Sequence, residues 1–404
     1  MKRLFLIIVQ IFLIIIFAYV SNIINIPNSV ILFDNEQLNM RTLAGLDFVA
    51  QDGKTILTNK NLSEELENNE KLSLKLFNMF PIKNVDVNII PNTTVVPLGN
   101  VIGLKLYTDG VLVVGVTEVE NVDNKKVKPY ENSNIDEGDM IIAVNNKAIT
   151  NTAELVQEVN KSDGKSLELK YVRNGEILTS SITPEKVEDN QYKLGIWVRD
   201  SAAGVGTISF YEPSTGMFAA LGHGIMDVDT GDLITIARGS IVTSNIVSIQ
   251  KGEKGKPGEI RGSIVNQSVI GEISKNTKLG IFGKLSNLGA LNINTSNAIP
   301  VASRDEIELG KAKIVCMLEN NKKEEYDVEI QKVFLNNNED NKSMVIKITD
   351  SRLLAQTGGI IQGMSGSPII QNGKLIGVVT HVFVSDPTMG YGVFSDLMIQ
   401  KMRE

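Results

Sequence analysis

From Pro184 onward the chain is a long series of short strand-like runs separated by glycine turns. "GVGTISFYEP", "GMFAALGHGI", "LITIARGSIVTSNIVSI", "IRGSIVNQSVIGEIS" and "KLGIFGKL" are rich in Val, Ile and Thr and carry no sustained 3.6-residue apolar period. Such a cadence fits a closed or two-barrel all-β architecture better than a helical one. The 34 glycines and the low aromatic content of 5% agree with it, because tight turns need glycine and short strands do not need rings. "KGEKGKPGEIRG" reads as an exposed loop, and the charge runs "ENNKKEEYDVEI" and "NNNEDNKS" read as solvated strand edges or loops.

The N-terminus follows a different rule. "MKR" precedes Leu4–Val20, whose only strongly polar residue is Gln10. As a helix this run rises about 25 Å, somewhat short of a ~30 Å hydrocarbon core, and Ile23, Ile24 and Ile26 extend it. No A-x-A pattern follows it, so an uncleaved anchor is expected over a cleaved signal peptide. Lys2 and Arg3 then stay on the cytoplasmic side, and the chain beyond Pro27 is exported. Residues 1–26 are the anchor or signal segment and 27–90 a membrane-proximal region. In the latter, "NKNLSEELENNEKLSLKLFNMF" reads as a polar stretch leading into a short amphipathic helix, and "VDVNIIP" as a strand.

Residues 91–187 read as a compact β-rich module. "NVIGLKLYTDGVLVVGVTEVE" suggests two strands around an Asp109-Gly110 turn. Glu137-Gly138-Asp139 makes a turn, Met140–Val144 a buried strand and Asn145-Asn146 another turn. "NTAELVQEVNKS" is helical, with Thr152 as cap and Leu155, Val156 and Val159 on one face. "SLELKYVRNGEILTSSITP" is a closing hairpin. The run "IDEGDMIIAVNNKAI", a helix, then "LELKYVRNGEILTSSITP" resembles a PDZ domain. The resemblance implies a groove that takes a peptide as an added strand, with its carboxylate-binding loop at Ile102, Gly103 and Leu104.

"GMSGSP", at Gly363–Pro368, raises the question of a nucleophile. Glycines on both sides of Ser365 allow close approach of substrate, and the amides of Gly363 and Ser365 are candidates for an oxyanion hole. The segment resembles the G-x-S-G-[GS]-P run of chymotrypsin-like serine proteases. An α/β-hydrolase elbow is excluded, because Ser367 stands where G-x-S-x-G needs glycine and no acid lies between Ser365 and His381. A nucleophilic serine needs a base, and the chain has two histidines. The chymotrypsin-like order of His, Asp, Ser selects His223 in "LGHGI", leaving His381 to pack along the substrate-side strand. Spacing does not choose the acid among Asp227, Asp229, Asp350 and the other carboxylates between His223 and Ser365. Cys316 lies in the apolar run "KIVCML" and reads as a core residue. One cysteine and two histidines supply too few ligands for zinc, so no metal and no cofactor are expected. The net charge of −7 argues against nucleic acid as a partner.

Taken together, the anchor, the PDZ-like module, "LGHGI" and "DSRLLAQTGGIIQGMSGSPIIQNGKLIGVVTHVFVSDPTMGYGV" closely resemble the stage IV sporulation protein B peptidase family. The resemblance runs from about Lys75 to the C-terminus, with Phe394 where His is expected. It implies a mainly β protein: an N-terminal transmembrane helix, a PDZ domain over 91–187, and a chymotrypsin-like double-barrel serine peptidase domain over 188–404. It also implies a triad of His223, Asp350 and Ser365. The implied substrate is the regulatory subunit that holds an intramembrane metalloprotease inactive, so that cleavage leads to activation of a late sigma factor. Self-cleavage near the N-terminus is implied too. The implied location is the space between the inner and outer forespore membranes, with the chain anchored in the inner one until self-cleavage releases it. The competing readings are a non-catalytic PDZ scaffold on a protease fold and a general quality-control envelope protease.

Overall fold

The computed structural model describes all residues except 1, 35, 37–39, 41, 51–54, 57–69 and 336–340. Helix α1 (Lys2–Asn25) carries the apolar run and leaves it solvent-exposed, with no acidic residue in its first turn. It meets a five-stranded sheet made of β1 (Ser29–Phe33), β2 (Leu46–Val49), β3 (Thr55–Ile56), β4 (Glu70–Leu76) and β5 (Phe80–Ile90), in the order β1-β5-β4-β2-β3. The short amphipathic helix expected at the end of the stretch 59–80 is not formed. Residues 70–76 form a strand whose Leu72 and Leu74 alternate inward with Val85 and Val87 of β5, while 59–69 lie outside the described residues. The period of two, not 3.6, matches that buried face.

Next comes β6 (Thr94–Val116), a single long strand where a hairpin was expected at Asp109-Gly110. The chain does not turn there because both halves find partners on the same neighbour. A bulge opposite Asp200 absorbs the irregularity, and Gly110 takes φ +135°. The intervening segment holds β7 (Val119–Glu120), β8 (Lys126–Val127), β9 (Met140–Val144), β10 (Lys147–Ala148), α2 (Thr152–Lys161), β11 (Leu167–Arg173), β12 (Glu176–Ile182), β13 (Glu185–Glu188) and β14 (Gln191–Lys193). Asn145 and Asn146 take positive φ in the expected turn. Asn151, one residue earlier than expected, caps α2 by accepting from the Glu154 amide. Asp139 is fully buried and paired with Arg173, which locks the Gly138-Asp139 turn to β11.

The strand β15 (Ile196–Glu212) then returns alongside β6 for nearly its whole length. With β16 (Met217–Ala220), β17 (Ile236–Gln250), β18 (Glu259–Thr277) and β19 (Gly280–Leu285), the N-terminal part of β6 and the C-terminal part of β15 close a barrel in the order β6-β15-β16-β19-β18-β17. Its core holds Leu98, Ile102, Leu104, Ile208, Phe218 and Ile281. A short β20 (Ile299–Pro300) leads to a second closed barrel of β21 (Gly310–Met317), β22 (Lys323–Val333), β23 (Met344–Ile348), β24 (Pro368–Gln371), β25 (Lys374–Phe383) and β26 (Asp386–Phe394). Between β23 and β24 lie α3 (Ser351–Thr357) and the serine loop, and the chain ends in α4 (Ser395–Arg403). Cys316 is buried in the second core as expected, and burial pushes its thiol pKa up.

The last helix ties the barrels together. Arg403 reaches the fully buried Glu212 at the end of β15 and the Thr93 hydroxyl before β6. Removing one partner of a buried pair leaves a charge without compensation. Arg403→Ala is therefore expected to destabilise the protein by about 3 kcal/mol, read as a lower urea midpoint. An unchanged midpoint would show that water compensates Glu212.

Candidate active site

The serine loop sits in the seam between the barrels and is bound from three sides. On one side Ile260 of β18 donates to Gln362 O and Gln362 donates to Gly258 O, both at 2.8 Å. From β15 the Thr207 hydroxyl donates to Gly363 O at 2.6 Å. From β25 Val379 O accepts the Gly366 amide at 2.8 Å, and Ser367 O accepts the Val379 amide at 2.9 Å. Gly363 and Gly366 take φ +95° and +105°, and a Cβ on Gly366 would lie 2.1 Å from Thr207 O. These two glycines are thus required by backbone conformation and close approach. Because Gln362 O is turned towards Ile260, the trans peptide directs the Gly363 N–H the opposite way. Among the described residues neither the Gly363 nor the Ser365 amide has a backbone acceptor.

His223 follows β16 through Leu221 and Gly222, which both adopt φ +69°. A left-handed leucine costs of order 1 kcal/mol, a strain of the kind stored at functional sites. Gly222 packs against β25, where a Cβ would lie 2.9 Å from the Thr380 methyl. This contact carries the histidine of the first barrel to the serine of the second. Nδ1 of His223 lies 2.8 Å from Gly224 O. A carbonyl only accepts, so Nδ1 carries the proton and Nε2 is left with its lone pair. Burial holds the His223 pKa below its usual value, partly offset by that hydrogen bond.

His223, Ser365 and His381 line one cavity of about 700 Å³, together with Ala202–Gly206 of β15 and Ile360–Gly363 of the serine loop. The Ser365 hydroxyl donates to Thr380 O. The His381 ring, on β25, lies 5.3 Å from that of His223.

The structure does not bring Asp350 to His223. Asp350 is the buried N-cap of α3: it accepts from the amides of Arg352 and Leu353 and from Asp327 N, and it pairs with the Arg352 guanidinium at 2.8 Å. Arg352 and these amides hold its carboxyl down to about 2. Asp227 and Asp229, the other carboxylates near His223 in sequence, are taken up by Arg199 at 2.7 Å each. Phe394 is buried in the second core and lies outside the cavity lining.

The expected peptide loop is corrected. Ile102, Gly103 and Leu104 are buried in the first barrel, hydrogen-bonded to β15 on one side and β17 on the other, so no edge remains for an added strand. A groove of about 440 Å³ lies instead between α2 and the start of β15, lined by Leu155, Val156, Val159, Leu194, Ile196 and Val198. Its glycine is Gly195, at φ +73°. Along Ile196–Val198 the strand pairs with β6 on one edge, and no strand covers the other among the described residues. "KLGIWV" carried a signal for it, a glycine between apolar residues directly after the module. Thr207 carried none, since its role depends on a loop 156 residues away.

This is the fold of a chymotrypsin-like serine endopeptidase, two β-barrels with a serine and a histidine across the seam, fitted with a PDZ module. The chain belongs to the SpoIVB peptidase S55 family, whose model matches residues 190–399, and residues 100–183 match the PDZ domain model. It is also similar to the zinc metalloprotease RasP of Shouchella clausii, 36% identical over 88 residues, which is 22% of this chain and 20% of that one. The chain spans a quarter or less of the length of the curated relatives it matches. Among solved structures, a serine endoprotease from Yersinia pestis is 15% identical with a TM-score of 0.28, covering 50% of this chain and 58% of that one. The PDZ domain of an SdrC-like protein from Listeria monocytogenes is 18% identical with a TM-score of 0.18, covering 22% and 87%.

The depressed pKa of His223 has a definite sign. A base must be neutral to accept a proton, so the acid limb of kcat/KM is expected below the ordinary histidine value of about 6.5. The buried neutral ring contributes stability that is present above about pH 6.5 and is lost as pH falls. A pH profile of kcat/KM with its limb at or above 6.5 would contradict this. Thr207→Val removes the hydroxyl that fixes Gly363 O and is expected to lower kcat about tenfold, the worth of one hydrogen bond, without loss of fold by circular dichroism.

Proposed function

We propose that Ser365 is the nucleophile and His223 its general base, acting on a protein substrate held in the seam cavity. The observation that carries this reading is that both side chains face one cavity while Gly224 O selects the His223 tautomer with a free Nε2. In this reading the Ser365 hydroxyl leaves Thr380 O, its acceptor in the resting arrangement, and donates to Nε2. His223 takes the proton as Oγ attacks the scissile carbonyl, and the amides of Gly363 and Ser365 receive the oxyanion. The imidazolium then protonates the leaving amine, and water repeats the sequence to release the acyl group. Each oxyanion donor is worth about 3–4 kcal/mol.

Asp350, the acid implied by the family resemblance, serves this site through α3. It fixes the start of the helix that runs into the serine loop through Gly358 and Gly359. Asp350→Asn is expected to lower stability and activity together. Loss of about 10⁴ in kcat at unchanged stability would instead place Asp350 on the imidazole.

The α2–β15 groove fits the carboxyl-terminal segment of a partner protein, added as a strand along Ile196–Val198 with an apolar last residue against Val156 and Val159. Val156 is half exposed at this face, as a groove wall is. The apolar α1 supports a single-pass anchor. Family membership supports a role in sporulation: cleavage of a membrane-bound regulator of an intramembrane metalloprotease, upstream of a late sigma factor, and self-processing near the N-terminus.

The test is the purified full-length chain beside Ser365→Ala, His223→Ala and His381→Ala. Labelling by a fluorophosphonate and cleavage of the regulator are expected to vanish in the first two and persist in the third. Cleavage surviving in Ser365→Ala would leave a binding scaffold, and broad digestion of denatured casein would point to quality control.

A further inference from the structure

The tip of the β4–β5 hairpin exposes a cluster of large apolar side chains that no core uses. Phe77, Met79 and Phe80 are 62%, 69% and 59% exposed, and Ile82 is 42% exposed. Phe77 and Asn78 turn the chain with φ +52° and +56°. Scattered single hydrophobics on a surface need no explanation, but a contiguous exposed group marks an interaction site.

The occupant follows from where the tip lies relative to α1. The sheet is docked on the last two turns of that helix at two levels. At the lower one, Lys83 of β5 donates to Ile26 O. At the upper one, the Tyr19 hydroxyl donates to Ala44 O, and the Phe77 amide donates to the adjacent Gly45 O. From Ile26 back to Tyr19 the helix rises about 10 Å. From Lys83 back to Phe80 the strand covers about 10 Å. The hairpin therefore runs beside the helix towards its apolar stretch, and its tip ends at the depth of Tyr19. There the exposed run Leu4–Phe17 begins on the other side. Tyr19 is a residue suited to the boundary between headgroups and acyl chains, and the apolar rings of Phe77 and Phe80 suit the acyl side of it. Lys75, opposite Pro81 in the ladder, lies one step back from the tip, at headgroup level.

We infer that the Phe77–Phe80 tip inserts into the lipid leaflet from which α1 emerges, so that the sheet β1–β5 rests on the membrane and sets the peptidase at a fixed height above it. This rests on the reading of α1 as an anchor. Two contacts with the bilayer, a spanning helix and a wedge beside it, fix orientation where a single helix would leave the exported part free to swivel.

The experiment uses the full chain in vesicles of phosphatidylcholine and phosphatidylglycerol with brominated acyl chains. The chain's one tryptophan is removed as Trp197→Phe. Tryptophan is then placed singly by Phe17→Trp in α1, Phe80→Trp at the tip and Ile177→Trp on the exposed face of β12. Quenching and a blue shift are expected for Phe17→Trp and Phe80→Trp and not for Ile177→Trp. Adding Phe77→Ser and Met79→Ser is expected to reduce the quenching at position 80. A quenched Phe17→Trp with an unquenched Phe80→Trp overturns the wedge while leaving the anchor intact. An unquenched Phe17→Trp overturns the anchor, and the wedge with it.

Discussion

The antiparallel pairing of β6 with β15 is the contact on which the rest of the molecule depends. Each strand is long enough to serve two cores. Its one end closes the first barrel, and its other end belongs to the PDZ module. The module is thus an insertion carried on two continuous strands, with no flexible linker at either crossing. The bulge opposite Asp200 lets the paired strands bend between the two cores while the ladder continues on both sides.

Both candidate sites take a wall from β15. Ile196 and Val198 line the groove beside α2, and Ala202–Gly206 line the seam cavity a few residues on. The candidate catalytic arrangement is made by two barrels pressing on one loop. Thr207 and Ile260 hold it from the first barrel and Val379 from the second, so the serine is placed by packing and not by its own local structure. The histidine arrives through two left-handed residues, the second packed against β25 in the seam. Arg403 on Glu212 closes the assembly from the far end of the chain.

Much of this was legible in the sequence. The cadence of short strands specified β-barrels because closure is the way such strands lose their edges. Glycines around Ser365, two histidines and the chain order pointed to Ser365 and His223, and the fold places both on one cavity. Other readings failed for identifiable reasons. Asp109-Gly110 looks like a hairpin turn, but a turn signal is local, and both flanking segments gain more by pairing with β15. Ile102-Gly103-Leu104 looks like a binding loop in the one-dimensional order of a PDZ module, but the insertion gives that stretch to the barrel and hands the groove to residues that follow the module. Glu70–Leu76 looked helical beside its polar neighbours until β5 supplied a partner for its alternating leucines.

The sequence by itself determined the apolar helix, the β class and the residue types able to do acyl transfer, because these rest on periodicity and on chemistry carried by single side chains. The tertiary structure decided which of them meet. It put His381 in the same cavity as His223, gave Asp350 to a helix end and Arg352, and joined Thr207 to Gly363 across most of the peptidase region. Contacts between residues far apart in sequence leave no trace in local pattern, since their geometry exists only once both barrels have closed.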